Sequence, residues 1–108
     1  MASQEILERV RSAATQRVLF LPHAVRQMAR PDRMITPDEI RTVIMQGGLI
    51  EDYPDDTRGH SCLLHGQGVD QRDIHVVCAP KENFLAVITA YIPTDDEWEQ
   101  DLRTRRLK

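Results

Sequence analysis

His23, Arg26, Gln27 and Arg30 stand at i, i+3, i+4 and i+7, the spacing that lines side chains along one face of an α-helix. One imidazole and two guanidinium forks on a shared stripe are groups that can take up a proton and hold phosphate oxygens. Metal-independent cleavage of RNA needs a base for the 2′-hydroxyl, positive donors for the charge that builds on phosphorus, and an acid for the departing 5′-oxygen. His23, in the first turn of its helix, is the candidate base, because the helix dipole there favours a neutral imidazole. His75 and Tyr91 are the candidate acids, on the expectation that the polar face of the sheet lies beside this helix. Arg26, Arg30 and Arg33, with Arg103, Arg105 and Arg106 of the tail, are candidate contacts to the nucleic-acid backbone, and Tyr53 can stack on a base.

The elements that must carry these residues are legible as changes of hydrophobic period. Ile6, Leu7, Val10, Ala13 and Ala14 recur at helical spacing, which predicts a first helix over about 4–14 with Ser3 as its N-cap. "RVLFL" reads as a short extended connection. A second helix is expected from Pro22 to about Arg30, started by one proline and stopped by Pro31. Thr36-Pro37-Asp38-Glu39 forms a capping box before Ile40, Val43 and Ile44, and Gly47-Gly48 closes that third helix. From Leu49 the period falls to two. "LIEDY", "HSCLLHG", "DIHVVCA" and "FLAVITAYI" read as four strands joined by turn-rich links, so a four-stranded antiparallel meander is the economical sheet. A short helical turn near Asp95 with Trp98 packing back, then a basic tail, completes an α+β fold of N-terminal helices on that sheet.

Cys62-x-x-His65 and His75-x-x-Cys78 offer four zinc-type ligands. Strand geometry argues against their closing on one ion, since residues three apart on a strand point to opposite faces. A hairpin centred on Asp70 sets Cys62 against Cys78 and His65 against His75, with the thiols among Leu64, Ile74 and Val76 and the imidazoles on the more polar face. The acids of "EDYPDD" surround a proline in a turn and read as a solvated loop. No metal or cofactor site is assigned.

The 108 residues are treated as one domain. Residues 1–50 hold seven arginines and five acids, residues 51–102 three bases and twelve acids, and the last six residues four bases, so a net charge of -3 conceals two basic ends. The N-terminus has no apolar signal region and "FLAVITAYI" is far too short to span a bilayer, from which a soluble cytoplasmic protein with no membrane partner is expected.

Several fragments, taken in order, resemble a known family: "HA" opening a helix with Met28 five residues after His23, "RMIT" before the next helix, "GLIEDYPDD", "HVV", and "ITAYIP" followed by a tryptophan. The chain is identified on these as a member of the bacterial family of domain of unknown function 4258, over about residues 20–103. The family pattern reads His-Ala-x-x-Arg-Met, whereas Arg26 stands one place early, so the family arginine corresponds to Arg26 or Arg30. The resemblance implies helices against an antiparallel sheet, similar to barnase-like and RelE-like toxin ribonucleases, and a small antitoxin-like partner. Two readings follow. One is a toxin-like ribonuclease acting on RNA. The other is a non-enzymatic module that docks protein or nucleic acid through His23, Arg26 and Arg30. In a purely structural account those arginines instead pair with Glu51, Asp52, Asp55 or Asp56.

Overall fold

Three helices and five strands follow one another in a computed structural model that describes residues 2–107, with side chains from Glu5 onward. They are α1 (Ala2–Gln16), β1 (Val18–Phe20), α2 (Pro22–Met28), α3 (Pro37–Gln46), β2 (Gly48–Tyr53), β3 (Ser61–Gln67), β4 (Asp73–Pro80) and β5 (Leu85–Tyr91). Helix α1 buries Ile6, Leu7, Val10 and Ala13, the face its spacing predicts. It already includes Ala2, so Ser3 stands within the first turn, and the side chain of that expected cap lies outside the described residues.

The Thr36 hydroxyl accepts from the Glu39 N–H (3.2 Å) while a Glu39 carboxylate oxygen accepts from the Thr36 N–H (3.0 Å), which is the reciprocal capping box. Glu39 does more than cap. Its other oxygen accepts from the Val69 N–H at 2.8 Å, and the Arg72 guanidinium reaches both oxygens at 2.9 and 3.2 Å, so α3 is tied to the β3–β4 turn. Burial alone would raise the Glu39 pKa, but the hydrogen bonds from Thr36, Val69 and Arg72 together hold it below the ordinary value. At the far end of α3, Arg11 donates to the Ile44 and Gly47 carbonyls, which have no partner within the helix. Gly47 is needed there for closeness rather than for a left-handed turn. Its φ is -76°, and a Cβ would sit 2.5 Å from the Val43 carbonyl oxygen and 2.6 Å from that of His65.

The sheet runs β1-β5-β4-β3-β2. Strands β2 to β5 form the expected antiparallel meander, but β1 adds to its β5 edge in parallel, with Val18 opposite Leu85 and Phe20 opposite Val87. The sheet is therefore five-stranded and mixed, and the four-stranded antiparallel expectation is corrected. Three residues are too few to show a period, and their partner lies at the other end of the sequence, so "VLF" carried no local sign of pairing.

Between β3 and β4, Cys62 faces Cys78 and His65 faces His75. Alternation sends Cys62, Leu64, Ile74, Val76 and Cys78 into a continuous apolar cluster with residues of all three helices, among them Ile6, Val10, Ala24, Met28, Ile40 and Val43. The histidines go to the opposite face. That polar face is covered: His75 is fully buried and His65 nearly so, beneath residues 93–107, with the ring nitrogens of both hydrogen-bonded. The helical turn expected near Asp95 is a tight turn, in which the Glu97 and Trp98 N–H groups meet the Thr94 carbonyl. The chain then doubles back through a bridge between Trp98 and Arg105, and Trp98 does pack inward, with 1% of its surface exposed. We call this C-terminal segment the arm.

Candidate functional site

Side-chain alternation on four strands places Glu51, Tyr53, His65, His75 and Tyr91 on the helix-free face, and the arm lays Trp98, Arg103 and Arg105 over them. At the centre, His75 Nε2–H donates to the Leu102 carbonyl at 2.6 Å. A carbonyl only accepts, so this bond fixes the tautomer and leaves Nδ1 to accept from the Tyr91 hydroxyl at 3.2 Å. Desolvation on burial lowers the His75 pKa to about 4, so the ring is neutral at pH 7. The Trp98 ring meets it edge-on at 4.5 Å. Beside this cluster Arg105 grips Glu51 with two bonds of 2.8 and 3.1 Å, and its guanidinium lies 4.6 Å from the centre of the Trp98 ring. Tyr53 also donates to Glu51; burial first, then that carboxylate, raises the Tyr53 pKa to about 12.

A second constellation adjoins this one, with its arginine exposed and its histidine nearly buried. His65 accepts at Nδ1 from Arg103 Nε (3.0 Å), and its Nε2–H donates to an Asp73 carboxylate oxygen at 2.9 Å. The three side chains form a line from carboxylate to imidazole to guanidinium. His65 and Arg103 border a polar cleft of about 320 Å³ lined also by Thr42, Gln46, Gly47, Gly66 and Gln67, and Asp73 stands behind His65. Neither terminal nitrogen of Arg103 has a hydrogen-bond partner among the described residues. These nitrogens lie over Gly48, where a Cβ would come within 3.1 Å of one and 3.4 Å of the other. Chemically the cleft offers a fork ready for an oxyanion, next to an imidazole whose far nitrogen is already held by a carboxylate.

Comparison with known proteins adds one match. The profile of a family described as "Domain of unknown function (DUF4258)" covers residues 20–92, well over half of the chain. The chain belongs to this family. The DUF4258 match stops short of the 103 suggested by the resemblance, so the cleft joins residues inside the matched span, His65 and Asp73, to Arg103 beyond it. No curated protein and no solved structure matches the chain.

The residues singled out in the DUF4258 sequence fall into two groups. His75, Tyr91, Tyr53, Arg103 and Arg105 gather on the arm-covered face. His23, Arg26, Arg30 and Arg33 do not join them, because Ala24 and Met28 pack α2 into the cluster on the other face. The proximity of His23 to His75 and Tyr91, which the sequence reading assumed, is therefore corrected. His23 and Arg26 are exposed and make no side-chain hydrogen bond among the described residues. Arg30 pairs with Asp32 at 3.3 Å, Arg33 donates to Gln27 at 2.6 Å, and Arg106 pairs with Glu99 at 2.9 Å. Three of the four acids proposed as partners for Arg26 and Arg30 are engaged elsewhere, Glu51 with Arg105, Asp52 with His60, and Asp56 with Arg58 and Ser61, while Asp55 pairs with neither arginine. The arginine bonds hold the Asp56 carboxyl well below the usual range.

His65 and Asp73 were not singled out in the sequence as candidates for this site. Their signal was present, since a hairpin centred on Asp70 puts His65 two residues along the strand from the position opposite Asp73, within diagonal reach. The register also separates the zinc-type quartet, with two thiols on the helix side and two imidazoles on the arm side. Among the described residues no group of three or more metal-ligating side chains converges, and no helix is long and apolar enough to cross a membrane.

Proposed function

We propose that the protein is a toxin-like, metal-independent endoribonuclease whose chemistry lies in the cleft of His65, Asp73 and Arg103. The observation that carries this reading is the unused fork of Arg103 beside an imidazole held by a carboxylate. A phosphate entering the cleft offers Arg103 a stronger acceptor than a neutral ring, which releases the lone pair of His65 Nδ1 toward the same phosphate. His65 then takes the 2′-hydroxyl proton while Asp73 stabilises the imidazolium. The proton passes to the departing 5′-oxygen, leaving a 2′,3′-cyclic phosphate and a 5′-hydroxyl. Arg103 bears the charge on the phosphoryl oxygens throughout. In this reading a small antitoxin-like protein restrains the enzyme.

A second reading has its own support. His23 is the one histidine without a hydrogen-bond partner among the described residues, and it shares the exposed face of α2 with Arg26. That surface suits a module that docks a partner without cutting it.

Incubation of mixed short RNAs in EDTA with the parent, His65→Ala and His23→Ala separates the two. The expected result is cutting by the parent and a loss of at least ~100-fold in His65→Ala, the lower end for removing a general acid or base. A loss confined to His23→Ala moves the chemistry to α2. If no folded protein cuts, the ribonuclease reading falls and docking through α2 takes its place.

A further inference from the structure

Arg103 is exposed and sits in a loop, yet the backbone that aims it is pinned on both sides of the residue. The peptide unit joining Leu102 to Arg103 is held at both polar ends. Its carbonyl accepts from His75 Nε2–H at 2.6 Å, and its N–H donates to an Asp101 carboxylate oxygen at 2.9 Å. Asp101 also accepts from the Thr104 N–H and hydroxyl, and the Leu102 N–H meets the Glu99 carbonyl at 2.8 Å. Leu102 itself has φ +58°, a left-handed conformation that a leucine adopts only when its surroundings impose it. Two residues beyond Arg103, Arg105 is clamped on Glu51. Anchors therefore flank Arg103 at positions 102 and 105, and they are set on β4 and β2, the two strands that pair with the His65 strand β3 on either side.

We propose that His75 is a positioning residue of the cleft: through the Leu102 carbonyl it holds the strained turn that presents the Arg103 fork to an oxyanion beside His65. The geometry excludes a direct chemical role while the arm is in place, since the ring is fully buried and both of its nitrogens are occupied. The Arg105–Glu51 clamp is the second anchor of the same loop. This inference rests on the cleft reading for the ligand class, while the position of Arg103 is measurable without any ligand.

The test uses the ¹⁵N-labelled full chain and follows the Arg103 Nε–H and His65 ring signals, the former assigned by its absence in Arg103→Lys. Expected is a slowly exchanging Arg103 Nε–H in the parent that is lost in His75→Leu and kept in His75→Gln, whose amide can still donate to the Leu102 carbonyl. Inorganic phosphate is then the probe. Its affinity at Arg103 should fall roughly tenfold in His75→Leu, as expected when a preorganised group must be ordered on binding. A folded His75→Leu that retains the Arg103 signal and the parental phosphate affinity overturns the proposal. Should that variant not fold, His75→Phe keeps a ring in the same place without the donor, and an unchanged Arg103 signal there overturns it equally. If phosphate perturbs nothing in the parent while the Arg103 signal still depends on His75, positioning stands and the oxyanion reading of the cleft falls.

Discussion

On the helix side of the sheet, Cys62, Val76, Cys78 and Val87 meet Ile40, Val43 and Val10 in one apolar mass, whereas on the arm side His65, His75, Tyr91 and Glu51 are met one partner at a time. The first kind of closure is non-directional and scales with area removed from water. The second is directional, and each bond exists only if two groups are aimed at each other. Even the thiols fit the contrast: mutual hydrogen bonding with Cys62, then burial, raises the Cys78 pKa, so the pair behaves as small hydrophobes rather than as nucleophiles. The lesson is that the helix side supplies stability and the arm side supplies aim.

The largest effect that would break this contrast is sought on the helix side. Ile40 is fully buried, and Ile40→Ala should cost about 2–5 kcal/mol in denaturant unfolding while leaving the Arg103–His65 hydrogen bond intact in every molecule that remains folded. Loss of that bond in the folded fraction would mean the two sides are not separable.

Next comes pH. His75 takes a proton near 6.5 when unfolded and only near 4 when folded, so neither state is charged above 6.5 and only the unfolded state gains a proton between the two values. Stability is complete above pH 6.5 and declines as pH falls toward 4, by roughly 3 kcal/mol in all. Carboxylates with lowered pKa, such as Glu39 and Glu51, take effect below their ordinary value of 4.5, beneath most of that window. Urea titrations at half-unit steps of pH should therefore show a slope from 6.5 to 4.5 that His75→Gln abolishes. A slope that survives this change would assign the sensitivity to another group.

The smallest effect concerns Trp98. Its indole N–H is buried with no partner, the sole such side-chain atom among the described residues. Trp98→Phe gives up some contact but also removes that orphan donor, so the net change should lie within about 1 kcal/mol. A much larger loss by calorimetry would show that the indole has a partner in solution.

What could be read in the sequence follows the same division. The apolar period of α1 and α3, the Thr36–Glu39 box, the four meander strands and the Cys62–Cys78 register are all local patterns, or follow from one turn, and the structure contains each of them. The arm was opaque because its contacts have no period. Leu102 is recognised by His75 through a backbone carbonyl, which leaves no trace in residue type, and Arg105 finds Glu51 across 54 positions. The assumed union of His23 with His75 failed for a related reason: periodicity tells which face of α2 is polar, not on which side of the sheet α2 lies. His65 and Asp73 were within reach of the register argument, yet an imidazole on a strand is usually just a satisfied neighbour.

One consequence of the parallel edge concerns the order of events when the chain is made. Val18, Leu19 and Phe20 leave the ribosome well ahead of their partners Leu85, Ala86 and Val87, with α2, α3 and three strands made in between. Hairpin pairing between β3 and β4 closes over a short span, whereas β1 must wait for nearly the whole domain before it has anything to pair with. β1 is therefore without its sheet partner until β5 has emerged, and only then is that edge of the sheet sealed.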